Sequence, residues 1–495
     1  MAHSEDRVPT LEYILDLLHE LEDDYQRKDD VRMLERIRQH REGTWRVPIP
    51  ERLKEVTGVD GIEYRDPTIA DELITIPTMF TRDRPSLTIT PARETPETQA
   101  QTTKLETFTM AALFDDIGRR SPGPSTYERM TDAVFEGGAW VRLILNKDRW
   151  RKRYSIRRRQ YENPSDYSDA VEDYKREGGV PIEWQLIDAM NIYPRFAGTE
   201  LCEVIEVQKR SISQVCQQFG ISYSDGQWMP DSEDSVYRSY STTDTHATPT
   251  TCEFLQHWTD THATYIVREG RGKDGLIVRQ WEHKYRLGRP PYYCAYGWTK
   301  NYEHGRLVTW SASEPKRAPV EYVSTLRSMF IHLGIRDAIP PITREIPESA
   351  TPIRGEDGQP PGPTLYELGM ETIGLPGERR RVVEFPLTSD KLLMAIDAAQ
   401  RDIERLSPAR VAGNLGDLGG AGFALASVYE KDQLRYIAFE NSIKQVLTEV
   451  TRDLWKLLAS LKEDVHVFRV DARKGGWITC TPADFKRPCR PEWRL

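Results

Sequence analysis

No apolar run in this chain reaches the roughly 18 residues that a membrane-spanning helix needs. Charged residues instead make up 29% of the total, so no membrane partner is expected. The six cysteines (Cys202, Cys216, Cys252, Cys294, Cys480 and Cys489) include no Cys-x-x-Cys pair. Scattered in this way they argue against a zinc site and a disulfide frame, and read as thiols in a reducing compartment. His19, His40, His257, His262 and His283 lack metal-ligand spacing. There is no His-Glu-x-x-His, no Gly-x-Ser-x-Gly and no Walker pair. No catalytic, metal or cofactor residue is therefore assigned. Met1-Ala2-His3-Ser4-Glu5-Asp6 has no basic region leading into an apolar core, so no secretory leader is expected. A positive excess is missing too. The net charge of −9 argues against a protein that grips nucleic acid over its whole surface, though not against one past which nucleic acid slides.

What the chain does have is concentrated between Thr388 and Leu461. Leu392, Ile396, Ala399, Ile403 and Leu406 recur at three- and four-residue steps, one apolar helical face. Ser389 is placed to cap that helix, and Ser407-Pro408 argues against its continuation. The run Gly413-Asn414-Leu415-Gly416-Asp417-Leu418-Gly419-Gly420-Ala421-Gly422 follows, free to visit backbone angles closed to other residues. From Phe423 the helical period returns, with Ile443, Val446, Leu447, Val450, Leu454, Leu457, Leu458 and Leu461 on one stripe. A helix of about forty residues would span roughly 60 Å. No strand precedes the glycine run and no Gly-Lys-Ser/Thr follows it, so it does not match a phosphate cradle. Taken alone, the segment reads as a hinge in a helical hairpin.

At 495 residues the chain can bury a large core and divide into several regions. Leu11, Ile14, Leu15, Leu18 and Leu21 predict a first helix, with Val31, Leu34 and Ile37 continuing after a break at Asp29-Asp30, as a solvated outer pair. Pro67 opens another helix, Arg84–Pro91 reads as a strand, and Thr95–Ile117 as one helix. Ser125 is expected to cap the next helix and Gly137-Gly138 to end it before a strand at 139–145. Basic residues then cluster from Lys147 to Arg159 around Trp150 and Tyr154. Such a tract can contact nucleic acid, or be a solvated surface that meets acidic neighbours. Ile182–Asp188 and Cys202–Val207 alternate as strands, the latter leading into a helix from Ile212 to Phe219 stopped by Gly220. The polar tract 231–249 is short of apolar residues and is expected to be mobile. A hairpin turns at Gly270–Gly275. Val320 to Ile339 is helical again, and a Pro- and Gly-rich piece from Pro341 to Pro386 carries two short strands.

That order, together with Ile182–Pro194, Cys202–Gly220, Gly288-Arg289-Pro290-Pro291 and Phe423-Ala424-Leu425-Ala426, resembles the portal proteins of tailed bacteriophages. The resemblance is one of layout over most of the chain, without an invariant motif. It implies an α+β subunit with a mixed α/β wing, a two-helix stem, a small α/β clip and a long C-terminal helix, assembled as a ring. The corresponding segments are an N-terminal helical part (1–60), wing (61–315), first stem helix (316–340) and clip (341–387). The second stem helix (388–410), tunnel loop (411–422), long helix (423–462) and a short tail (463–495) in place of a large crown follow. The resemblance further implies a dodecamer that conducts double-stranded DNA, held in the virion after assembly in the host cytoplasm. Its partners would be terminase, head–tail adaptors and capsid protein. Asn414, Leu415, Gly416, Asp417, Leu418, Gly419 and Gly420 would face the DNA channel. Arg344, Arg354, Arg379, Arg380 and Arg381 would dock partners from the clip, or else pair locally with Glu345, Glu348, Glu378 and Glu384. Another head-completion or tail structural protein is the alternative, with a nucleic-acid-processing enzyme further behind.

Overall fold

The computed structural model describes residues 8–51, 62–119, 123–146, 149–150, 160, 163–198, 200–224, 227–230, 251–268, 275–303, 306–338, 342–345, 379–382, 389–406, 422–469, 476–486 and 489–495. Helices α1 (Leu11–Asp23) and α2 (Tyr25–Glu42) precede α3 (Thr68–Thr81), strand β1 (Ser86–Pro91) and α4 (Pro96–Ala111). Next come α5 (Thr126–Glu136), β2 (Gly138–Leu145) and α6 (Pro164–Gly178). Strands β3 (Ile182–Ile187), β4 (Ile192–Ala197) and β5 (Glu200–Ser211) run into α7 (Ile212–Phe219) and the ribbon β6 (Ile221–Ser224) and β7 (Gln227–Pro230). Then follow β8 (Thr251–Trp258), β9 (His262–Arg268), β10 (Gly275–Glu282), β11 (Tyr292–Tyr296), β12 (Trp298–Glu303) and β13 (Arg306–Trp310). Last are α8 (Glu314–Ala338), β14 (Ile342–Glu345), β15 (Arg379–Val382), α9 (Ser389–Leu406) and α10 (Gly422–Ala459). The chain closes with β16 (Val465–Arg469), β17 (Gly476–Cys480) and β18 (Cys489–Arg494).

Every ladder among the described residues is antiparallel. With helices interspersed between them, the chain is α+β. It forms two compact units. One comprises Met1–Ile37, Leu73–Ala312 and Gln433–Leu495, the other Arg38–Glu72 and Ser313–Asp432.

The first unit is built on a five-stranded sheet of order β10-β9-β8-β5-β4 and a three-stranded sheet of order β11-β2-β3. Strand alternation assigns each face. On one side Ile205, Leu255 and Ile266 receive Ile14, Leu15, Leu17 and Leu18 of α1. On the other, Val204, Trp258 and Ala263 meet Trp140, Ile144, Ile187 and Tyr292 from the smaller sheet. The first helix is therefore half core, and its solvated face is only one of two. It breaks at Asp24, whose φ of −57° and ψ of 123° are non-helical, and not at Asp29-Asp30, which lie inside α2.

Local signals held where they were local. Ser125 and Glu128 form a reciprocal capping box on α5. Gly137 ends that helix at φ +146°, and a Cβ there would meet Met33 Cε at 2.9 Å. Gly220 ends α7 in the left-handed conformation. Thr95–Ile117 is not one α-helix, because after Ala111 it widens into a π turn, Ala112–Asp116. The helix expected at 316–340 runs from Glu314 to Ala338, and the long helix stops at Ala459, not 462. In the tail β16 and β17 pair with each other, and β18 pairs with β1, Trp493 opposite Leu87. The polar tract 231–249 lies outside the described residues.

Candidate functional site

In the second unit α8 presents a row of polar side chains to segment 38–72. Ser324 and Ser328 Oγ accept the backbone N–H groups of Asp66 and Tyr64 at 3.0 and 2.8 Å. Arg327 donates to the Tyr64 hydroxyl and lies over that ring at 4.6 Å. Nearer the helix start, buried Lys316 pairs with buried Glu72, which also accepts from Ser313 Oγ at 3.2 Å. Glu321 lies 3.1 Å from both His40 Nε2 and the Arg317 guanidinium. Burial alone would raise the Glu321 carboxyl, but those two partners outweigh it and hold its pKa below the ordinary carboxylate range. Segment 38–72 thus clasps α8, which itself packs along α9. The α9 stripe predicted from periodicity is buried at Ile396, Ala399 and Ile403. Met394 is 73% exposed, Leu393 42% and Tyr322 54%.

Between these helices β14 pairs with β15. The register sets Arg344 opposite Arg380, Glu345 opposite Arg379 and Thr343 opposite Arg381. Four of the five arginines assigned to docking therefore sit on one short ladder. Arg354 lies outside the described residues. So do Glu348, Glu378 and Glu384, and the glycine run up to 421 with Asn414, Leu415, Gly416, Asp417, Leu418, Gly419 and Gly420.

Residues 433–459 of α10 belong to the first unit, and their fixing is explicit there. Ile443, Val446, Leu447, Val450, Leu454, Leu457 and Leu458 are buried. Phe439 stacks on Phe135 with centroids 4.7 Å apart. The Gly288-Arg289-Pro290-Pro291 stretch supplies the polar half of the joint. Arg289 donates to Glu449 at 2.7 Å and Asp453 at 3.1 Å, residues four apart and so on one helix face. Its guanidinium also lies 4.6 Å from the centre of the Tyr293 ring, whose hydroxyl donates to Asp453 at 2.8 Å. Burial and the Asp453 charge push the Tyr293 hydroxyl well above its ordinary pKa, so it stays a donor. Sequence reading marked the stretch without seeing its partners, which lie some 160 residues away.

A second buried network joins the two sheets. Arg142, 4% exposed, donates to Glu206 at 2.8 Å, Gln256 at 2.7 Å and Gln185 at 3.0 Å. Tyr292 adds a hydrogen bond to Glu206 at 2.8 Å. Burial disfavours the Arg142 charge, but Glu206, Tyr292 and Glu183 together more than restore it. With each charge committed to a partner, the network reads as a strut between sheets.

Of the basic tract, Arg149 and Trp150 are described, and both are structural. Arg149 pairs with Asp116 of the π turn at 2.6 Å and donates to the Val180 carbonyl at 2.8 Å. Trp150 Nε1 donates to the Gly179 carbonyl at 2.8 Å. The remaining basic residues of the tract, with Tyr154, lie outside the described residues.

A cleft of about 220 Å³ opens beside α4, lined by Arg93, Gln101, Thr102, Leu105, Asp484 and Cys489 among others. Asp484 is already engaged, by Lys104 at 3.2 Å and the Thr481 N–H at 2.9 Å. Among the described residues no group of three His, Cys, Asp or Glu side chains is placed to hold a metal ion. Nor is any helix there long and apolar enough to cross a membrane. All six cysteines are unbridged. No family model matches the chain and no curated protein matches it significantly.

Proposed function

We propose that this chain is the subunit of a portal ring at a phage capsid vertex, through which double-stranded DNA is packaged and later ejected. One observation carries the reading. Two helices, α8 and α9, pack along each other and in sequence bracket an antiparallel strand pair, β14–β15, and the chain then passes through a glycine-rich segment into a 38-residue helix. In that reading α8 and α9 are the stem, β14–β15 belongs to the clip on which terminase and head–tail adaptors dock, and 411–422 faces the bore. The mixed sheets form the wing, toward capsid protein. Support also comes from exposed Met394 and Leu393 on α9, since a ring subunit keeps apolar helical surface for its neighbours. An acidic chain suits a conduit, because duplex DNA gains few counterion-releasing phosphate contacts from it. The test is assembly. Light scattering should find wild-type chain as a large oligomer, and Leu393→Glu with Met394→Glu as monomer of unchanged helical content. A double variant that assembles like wild type would contradict the placement of α9 at subunit contacts.

A further inference from the structure

The cleft beside α4 opens where the β1–β18 ladder ends, and the end pair of that ladder, Pro91 and Cys489, lines it. Its volume of about 220 Å³ exceeds the roughly 150 Å³ of a cavity that takes up benzene. One small organic molecule fits. Pro91 and buried Leu105 give it an apolar wall. Three polar side chains that line it have bonding capacity to spare. Gln101 Oε1 is buried and accepts no hydrogen bond among the described residues, a costly and uncommon state in a folded protein. Asp484 takes the Lys104 ammonium and the Thr481 N–H on Oδ2, whereas a carboxylate has about four acceptor positions. Burial alone would raise its pKa, but the Thr481 N–H and Lys104 outweigh it, so the group stays ionised. Arg93 is exposed and pairs with no carboxylate among the described residues.

We infer that this cleft binds one free α-amino acid with an apolar side chain. The ligand's ammonium group supplies the donor that Gln101 Oε1 lacks, and joins Lys104 as a second cation on Asp484. Arg93 grips the ligand's carboxylate with its planar fork. The apolar side chain lies on the wall made by Pro91 and Leu105. Other ligands use only part of the site. A carboxylic acid without the amine leaves Gln101 unsatisfied and brings a like charge toward Asp484. An amine without the carboxylate meets the like charge of Arg93. The first residue of a peptide offers an ammonium group but no carboxylate. All these side chains belong to the first unit, so the inference is independent of ring assembly.

Calorimetric titration of the full-length protein tests it, with L-leucine and L-phenylalanine as probes, each beside its carboxamide and its deamino acid. One or both amino acids should bind, about tenfold or more tightly than their own two analogues. Arg93→Gln should weaken the amino acid to the level of its carboxamide. Gln101→Leu should weaken it about tenfold or more, yet leave the urea midpoint of the ligand-free protein unchanged or raised, because it removes an unsatisfied buried acceptor. Four results would overturn the inference: neither amino acid binding up to its solubility, an analogue binding as tightly as its parent, Gln101→Leu binding like wild type, or a lowered urea midpoint for Gln101→Leu. The last would mean that Gln101 already has its partner within the fold.

Discussion

His283 shows what a single buried ring contributes to this fold. It is 5% exposed, donates Nε2–H to the Thr259 carbonyl at 3.0 Å and packs against Trp258 and Tyr285. Burial holds its pKa below the ordinary 6.5, against the opposing pull of Thr259 and Asp260. The unfolded chain therefore takes up this proton at a higher pH than the folded chain does. Stability from the neutral ring is complete above about pH 6.5 and is lost as pH falls from there toward the lower folded value. His466 is shifted in the same direction, again by burial, although Glu172 beside it opposes. Urea unfolding between pH 7.5 and pH 5.5 should show wild type losing stability on acidification, with His283→Gln losing measurably less. Identical pH slopes would show that the ring tolerates its charge.

At the scale of elements, the joint between Arg289 and α10 fixes one end of the longest helix. Arg289→Ala would leave Asp453, whose side chain is 4% exposed, with only Lys456 and Tyr293 as partners. The expected cost is about 2 kcal/mol, a discounted value for breaking a mostly buried pair. A lowered urea midpoint, with faster amide exchange across 443–458, would register it; an unchanged midpoint would mean the apolar stripe alone holds the helix. That stripe was legible in the sequence, as were the Ser125 cap, the Gly220 stop and strands near 342–345 and 379–382, because each shows in the local pattern of residues. What stayed hidden depends on distant partners. Arg142 reads as an ordinary polar position in a strand until two sheets close over it. The break at Asp24 was missed because Asp23-Asp24 and Asp29-Asp30 are the same acidic pair, with no Pro or Gly to tell them apart. The π turn at Ala112–Asp116 keeps apolar side chains pointing inward much as an α-helix would, so periodicity cannot mark it. The pairing of β18 with β1, across some 400 residues, has no local signature at all. The arginines at 344 and 379–381 were read as a cluster, and the ladder adds that Arg344 stands opposite Arg380 in register.

For the whole molecule, the portal reading makes the glycine run the part that meets moving DNA. Five glycines between 413 and 422 raise the entropic cost of holding any one conformation. Gly416→Pro with Gly419→Pro should therefore leave assembly intact and reduce the DNA retained per particle in a packaging reaction. Full packaging by that variant would remove the loop from the mechanism. The central claim is nevertheless the ring, since stem, clip and channel loop have no meaning in an isolated chain. Its most direct measurement is negative-stain electron microscopy of the purified full-length protein, with averaging of end-on views. The portal reading predicts closed rings of uniform subunit number around a bore wide enough for duplex DNA. Monomers, open filaments or solid discs at every concentration and ionic strength would contradict it.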